Sequence, residues 1–341
     1  MLGNTTFRQH KSHAMRMYNK EKARERINQL QAEGKPFVFI INFECTQAFV
    51  EATTDLDSDE MMCAFPHFSN VPRQARAGVE PLRWCAKPPR RADYEQNINL
   101  VKRNIMAGNS YLANLTCKIP IETNLGLRDI FLRSKARYRC WVKDMLVCFS
   151  PETFVRVDHD TISSYPMKGT CDATLPHARE NLMANVKEAA EHATIVDLIR
   201  NDLSQVADNV QVARYRYIER VRTHRGELLQ TSSEITGRLS RYYRDHVGDL
   251  IFRLLPAGSI TGAPKAKTVE ILREAEKYDR GFYTGVMGHY ADGVMDSAVM
   301  IRFVDSEHGH LYYKAGGGIT AQSDNDDEYQ EVIDKVYVPI Y

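Results

Sequence analysis

The chain has 341 residues, 43% of them hydrophobic and 26% charged, the balance of a globular protein rather than of a disordered or a membrane chain. Lys and Arg number 45 against 44 Asp and Glu, a formal net charge of +1, which gives no electrostatic footprint for nucleic acid or an anionic membrane surface. Seven cysteines without C-x-x-C spacing argue against a disulfide scaffold or structural zinc, and for reduced thiols in the cytoplasm.

Residues 1–16 hold Arg8, Lys11 and Arg16, no acid and no apolar run behind them, and read as a flexible extension rather than a secretory signal. Residues 17–341 read as a single domain whose first part, 17–90, is short. A charged helix is predicted over 19–32, stopped by Gly34-Lys35-Pro36 ahead of a strand over 37–43. Its apolar run falls far short of the roughly 20 residues that span a bilayer. Residues 53–89, punctuated by Pro66, Pro72, Pro81, Pro88 and Pro89, read as irregular and as mobile or poorly packed. A helix over 93–107 ends at Gly108-Asn109 and leads into a strand over 111–119. Strand-like runs follow at 141–150, 153–158, 161–165, 286–290, 297–304 and 310–315, several at hairpin spacing. Helices are predicted over 182–207, 246–255, 263–277 and 327–336. Strands at both ends with helices inserted give an α+β class with antiparallel pairing.

Lys168 sits in Pro166-Met-Lys-Gly-Thr170, just after a predicted strand. A lysine in such a turn is usually a solvated charge, whereas a buried one loses basicity and becomes a nucleophile. Sequence leaves both readings open. Glu188 and Glu191 lie three apart on one predicted helix, and Glu328 and Glu331 repeat that spacing on another, so each pair shares a helix face. Two such pairs converging would suit Mg2+, which takes oxygen ligands and keeps several waters. On spacing alone such pairs more often decorate a solvated face, with Lys187 and Lys335 as partners. Gly316, Gly317 and Gly318 follow a predicted strand, where they either bend the chain or offer bare N–H groups to an anion. Ser259 and Thr261 are candidate hydroxyl donors in the loop over 255–265. Arg302, in an apolar stretch over 299–304, either reaches solvent or clamps a carboxylate.

Taken together, these segments resemble the chorismate-utilising enzymes, and among them the large subunits of the aminodeoxychorismate synthases (para-aminobenzoate synthase component I). The resemblance is carried by Ser150-Pro-Glu-Thr-Phe154, Pro166-Met-Lys-Gly-Thr170, Ala190-Glu-His-Ala-Thr-Ile-Val-Asp-Leu-Ile-Arg-Asn-Asp202, Pro256-Ala-Gly-Ser-Ile-Thr-Gly-Ala-Pro-Lys265, Arg280-Gly-Phe-Tyr283, Ala315-Gly-Gly-Gly-Ile319 and Glu328-Tyr-Gln-Glu331. They cover residues 90–338 in the order typical of those enzymes, and the N-terminal part matches weakly. The resemblance implies two large, mainly antiparallel sheets packed face to face, helices outside and the active site in the cleft. In the Pro-x-x-Gly-Thr motif, anthranilate and isochorismate synthases carry Ala before the Gly and aminodeoxychorismate synthases carry Lys. Here that residue is Lys168.

The implied reaction joins chorismate and ammonia into 4-amino-4-deoxychorismate, a step towards para-aminobenzoate and folate. By resemblance, Lys168 would be the nucleophile and Glu152 the general acid for the C4 hydroxyl. Mg2+ would be held by Glu191 and Glu331 directly and by Glu188 and Glu328 through water. Gly169, Thr170, Tyr283, Arg302, Gly316, Gly317, Gly318 and Lys335 would bind the substrate, with Arg302 and Tyr283 on its enolpyruvyl carboxylate. No segment resembles a glutaminase, so ammonia is expected from a separate glutamine amidotransferase subunit.

Three departures accompany the resemblance. Gln230-Thr-Ser-Ser233 stands where the family usually has His-Leu-Val-Ser, Leu112 stands at a common Gln position, and Asp172-Ala173 replaces basic residues. Anthranilate or isochorismate formation, and a non-catalytic chorismate-binding subunit, are the alternatives.

Overall fold

In the computed structural model, which describes residues 15–223 and 226–340, alternation in the Phe37–Ile41 strand shows how the layers stack. All five of its residues are buried, as in a strand covered on both faces. Phe37, Phe39 and Ile41 point into a core shared with Ile27 and Leu30 of the Lys20–Ala32 helix and with Leu250 and Ile251 of the Val247–Leu254 helix. Val38 and Ile40 point the other way, into a core between two sheets, with Met287 and Ala298 from one and Cys63, Cys140 and Phe303 from the other. Beyond the second sheet, Leu115, Ile119 and Phe149 pack on Ile98 and Val101 of the Arg91–Met106 helix and Leu272 of the Lys265–Glu276 helix. Each large apolar side chain fully buried in these layers contributes about 1.5–3 kcal/mol.

Among the described residues the first sheet has ten strands, ordered Met17–Tyr18, Ala48–Ala52, Phe37–Ile41, Val286–Ala291, Val294–Val299, Thr153–Asp158, Thr161–Ser164, Gly226–Leu239 and Met167–Asp172, with Ala207–Thr223 on the other edge of Gly226–Leu239. The second has nine, ordered Gly262–Ala263, Leu112–Thr123, His310–Ile319, Phe303–Glu307, Leu146–Ser150, Tyr138–Val142, Met61–Phe65 and Phe68–Ser69, with Trp84–Ala86 also on Leu112–Thr123. The expected α+β class and facing antiparallel sheets with helices outside are therefore what the chain forms. All seven cysteines are free thiols. No helix among the described residues is long and apolar enough to cross a membrane.

Several local expectations are corrected. The stretch over 53–89 is not merely irregular: Met61–Phe65, Phe68–Ser69 and Trp84–Ala86 join the second sheet, and Met61, Met62 and Cys63 are buried. The run over 141–150 is a hairpin of Tyr138–Val142 and Leu146–Ser150. The run over 297–304 belongs to both sheets, because the chain leaves the first at Val299 and enters the second at Phe303. Arg302, with φ at 55°, turns at that crossing instead of lying within a strand. The helix expected over 182–207 is broken at Asn185, which is extended and caps the Val186–Leu203 helix by accepting a 3.0 Å hydrogen bond from Glu188 N. Of the extension expected over 1–16, residues 1–14 lie outside the described residues.

Candidate active site

A cavity of about 620 Å3 opens where the Met167–Asp172 strand, the Val186–Leu203 helix, the His310–Ile319 strand and the Asn325–Asp334 helix meet. It is lined by Glu152, Lys168, Gly169, Thr170, Glu188, Glu191, Tyr283, Arg302, Gly316, Gly318, Glu331 and Lys335, among others, residues far apart in sequence. Of the residues singled out from sequence, Ser259 also lines it, Gly317 and Glu328 sit just behind it, and Thr261 is buried away from it, its Oγ1 donating to the Ala257 carbonyl at 2.8 Å.

The pairing of Met167–Asp172 with Gly226–Leu239 shifts register between Met167 and Thr170, a bulge that re-aims the side chains there. Gly169 makes the bulge with φ at +86°, and a Cβ on it would stand 3.0 Å from Glu188 Oε2. Thr231 Oγ1 donates to the Lys168 carbonyl, fixing the backbone from the neighbouring strand. The Lys168 side chain is 31% exposed, and its Nζ lies 2.7 Å from Glu191 Oε2. Burial, the largest single influence, pushes this amine's pKa down, but Glu191, Glu331 and Glu188 outweigh it and the net direction is upward.

Glu188 and Glu191 project from one helix and Glu328 and Glu331 from the other. Glu328 is buried, which raises its pKa; Ser323 Oγ donates to its Oε1 at 2.6 Å while its Oε2 has no partner. Glu188 Oε2 is likewise buried and unpaired. Glu331 Oε1 accepts a 2.5 Å hydrogen bond from Lys335 Nζ, and the Lys335 and Lys168 charges overcome burial to hold its pKa down. Among the described residues no group of three or more His, Cys, Asp or Glu is arranged to hold a metal ion. Lys168 and Lys335 pair with Glu191 and Glu331. The donor chemistry nevertheless fits a hard divalent cation, because two buried carboxylate oxygens lack any hydrogen-bond donor and all four groups supply oxygen.

Glu152 follows the Leu146–Ser150 strand, and its Oε1 accepts a 2.8 Å hydrogen bond from Ser259 Oγ. Burial raises its pKa, opposed by Ser259, Arg302 and Lys335. Ser259 is held in the short Gly258–Ile260 turn, whose Ile260 carbonyl accepts from the buried Arg280 at 3.0 Å. Arg302 Nε is buried without a partner, and its guanidinium lies 5.6 Å from the centre of the Tyr337 ring. Tyr283 is buried, which pushes its hydroxyl pKa up. Lys335 Nζ donates to the Gly316 carbonyl at 2.8 Å, and burial pushes its pKa down.

The three glycines lie inside the His310–Ile319 strand rather than after it, in unbroken register with Leu112–Thr123. The neighbouring Phe303–Glu307 strand covers only 310–314, so the edge at Gly316 is free to face Lys335 and the cavity. A Cβ on Gly317 would approach Glu331 Oε1 to 3.4 Å and Glu328 Oε2 to 3.5 Å.

Sequence reasoning passed over His192 as a separate element of the site. It is fully buried, with Nε2 2.7 Å from Ser233 Oγ; burial and then Arg216 push its pKa down to about 4. The signal was its place one residue beyond Glu191, on the helix face turned to the sheet. Gln230 and Leu112, the departures noted above, both line the cavity, and Gln230 stands opposite Thr170 in the ladder.

The family of chorismate binding enzymes matches residues 54–340. The chain belongs to that family. This chorismate-binding enzyme is 44% identical over 316 residues to an uncharacterised PabA-like protein of Pasteurella multocida, covering 93% of this chain and 98% of that one. It is 31% identical over 261 residues to aminodeoxychorismate synthase component 1 of Klebsiella aerogenes, covering 72% of this chain and 56% of that one. The crystal structure of anthranilate synthase component I from Streptococcus pneumoniae shares its fold with a TM-score of 0.65 and 26% identity, over 76% of this chain and 60% of that one. An aminodeoxychorismate synthase and an anthranilate synthase are thus both among its relatives, and the choice between their reactions falls to the residues of the cavity.

Proposed function

We propose that this chorismate-binding enzyme is an aminodeoxychorismate synthase component I, converting chorismate and ammonia to 4-amino-4-deoxychorismate. The observation that carries the proposal is the Lys168 amine in the cavity, part-buried and within 2.7 Å of Glu191. An amine on this bulge can reach a substrate ring; an alanine there could not supply a nucleophile.

The substrate is a dicarboxylate with a hydroxyl at C4. The unpartnered Arg302 Nε and the neighbouring Tyr283 receive its enolpyruvyl carboxylate. Glu152, kept protonated more readily by burial, gives its proton to the C4 oxygen, which leaves as water. Lys168 passes its proton to the Glu191 carboxylate 2.7 Å away and, as the free amine, bonds to C2 while both ring double bonds shift and the C4–O bond breaks. Ammonia then bonds to C4, the double bonds shift back, and the C2–N bond to Lys168 breaks. Mg2+ held among Glu188, Glu191, Glu328 and Glu331 would neutralise the ring carboxylate and fix the ring. Ammonia is supplied by a glutamine amidotransferase subunit, or by ammonium salts.

Chorismate, ammonium and Mg2+ are incubated with the protein and the products resolved by mass. The expected product is 4-amino-4-deoxychorismate, with a transient protein adduct mapped to Lys168. Anthranilate or isochorismate as the sole product overturns the proposal, and so does chorismate binding without turnover in the presence of an active glutaminase.

A further inference from the structure

We infer that His192 is a positioning residue, holding the strand that carries Lys168 against the helix that carries Glu188 and Glu191. This deepens the reading above and rests on its role for Lys168. One residue past Glu191, the helix turns His192 by about 100° out of the cavity and into the sheet, where it is fully buried. Its Nε2 lies 2.7 Å from Ser233 Oγ, its Nδ1 has no hydrogen-bond partner, and the Lys168 backbone also acts on the ring, favouring its charged form.

Ser233 is also fully buried and joins three segments. It belongs to the Gly226–Leu239 strand, its N–H donates to the Pro166 carbonyl at 3.0 Å, and its Oγ accepts from Arg216 N at 2.9 Å. Pro166 leads straight into Met167 and Lys168. Thr231, two residues before Ser233, donates to the Lys168 carbonyl. The imidazole–hydroxyl contact therefore spans from the Glu191 helix to the segment that presents the amine. Misplacing a reacting group by about 1 Å can cost about 10²-fold in rate, so this contact sets whether Lys168 is aimed.

The test compares wild type with His192→Phe, which keeps ring volume without the nitrogen, with Ser233→Ala, and with His192→Gln, whose amide can reach Ser233. Should the Phe variant fold poorly, Ser233→Ala, which removes one oxygen, carries the comparison. In ammonium-dependent turnover, kcat is expected to fall about 10²-fold in the Phe and Ala variants with chorismate KM little changed, and to recover in His192→Gln. Wild-type kcat in both loss variants overturns the inference. A second readout needs no turnover: acetic anhydride labelling of Lys168 relative to exposed Lys22, followed by mass spectrometry. Loosening the strand is expected to raise the Lys168 to Lys22 ratio several-fold; an unchanged ratio in both variants overturns the inference. If wild type makes no product at all, the functional reading falls while the labelling ratio still decides the positioning.

Discussion

Lys168 Nζ and Glu191 Oε2 stand 2.7 Å apart, one on a strand and the other on the facing helix. The pairing explains how an amine is kept in a part-buried site: the surrounding glutamates outweigh the cost of burial and favour its charged form. It also puts the amine beside the carboxylates proposed to hold the metal. Replacing Lys168 by Arg keeps a cation for Glu191 but removes the nucleophile; Lys168→Ala removes both. Both variants are expected to lose turnover by on the order of 10³-fold or more and to form no adduct by intact-mass analysis. Turnover in either variant near the wild-type rate would remove covalent catalysis from the account.

Glu152 and Ser259 give a pH dependence with a definite sign. A general acid works in its protonated form, so activity falls as pH rises through the Glu152 pKa, which burial has raised. The Ser259 hydrogen bond favours the charged carboxylate and holds that pKa back. Ser259→Ala is therefore expected to move the alkaline limb of the kcat profile to higher pH. Glu152→Gln is expected to lower kcat about 10²–10⁴-fold and to abolish that limb. The pH–rate profiles of the two variants check both; a limb that moves to lower pH in Ser259→Ala contradicts the assignment.

The unpaired oxygens of Glu188 and Glu328 lead to a metal prediction. Chelation of divalent ions is expected to stop turnover, and Mg2+ to restore it. Glu188→Gln and Glu328→Gln are each expected to weaken Mg2+ binding about 10–100-fold, read by titration calorimetry in the presence of chorismate. Full activity in excess chelator would show that the four glutamates serve some other purpose.

Arg302 offers a test of substrate binding. Its buried Nε lacks a partner, and a planar guanidinium can grip a carboxylate with two parallel hydrogen bonds where an ammonium makes a point contact. A charged hydrogen bond of about 1.5–3 kcal/mol corresponds to about 10–100-fold in affinity. Arg302→Lys is expected to raise chorismate KM by that factor, with a smaller effect on kcat, in steady-state kinetics. An unchanged KM places the carboxylate elsewhere.

Much of this site was legible because its parts are local motifs. Lys168 with Gly169, the two glutamate pairs and Glu152 each sit in a short run that the family resemblance marks, where residue types alone leave a solvated surface open; the i, i+3 spacing put each carboxylate pair on one face. The α+β class followed from strand runs at hairpin spacing. What escaped depends on long-range pairing. The Ala207–Thr223 and Gly226–Leu239 hairpin was not foreseen, because its exposed edge strand alternates charged and apolar residues such as Arg214, Tyr215 and Arg216 without a clean period. The crossing at Arg302 was hidden because Val299 and Phe303 are both buried, so one apolar run serves two sheets. His192 and Ser233 are 41 residues apart, and neither declares its partner locally.

Gly169 separates a requirement of the backbone from one of the side chains. Its φ of +86° is open to glycine, whereas a residue with a Cβ pays about 1–2 kcal/mol there. In Gly169→Ala the new methyl would also stand 3.0 Å from Glu188 Oε2 and 3.4 Å from both Leu182 Cδ1 and Thr231 Oγ1. Relief comes most easily by moving the flexible Glu188 carboxylate or by flattening the bulge that aims Lys168. Gly169→Ala is therefore expected to lose about 1–2 kcal/mol of stability in denaturant unfolding. Its loss of turnover should exceed what that small drop in folded fraction explains. Gly78→Ala, at a glycine with no atom within 4 Å of the added Cβ, is the control and should change neither. A Gly169→Ala protein with wild-type turnover would mean that the bulge does not set the aim of the amine.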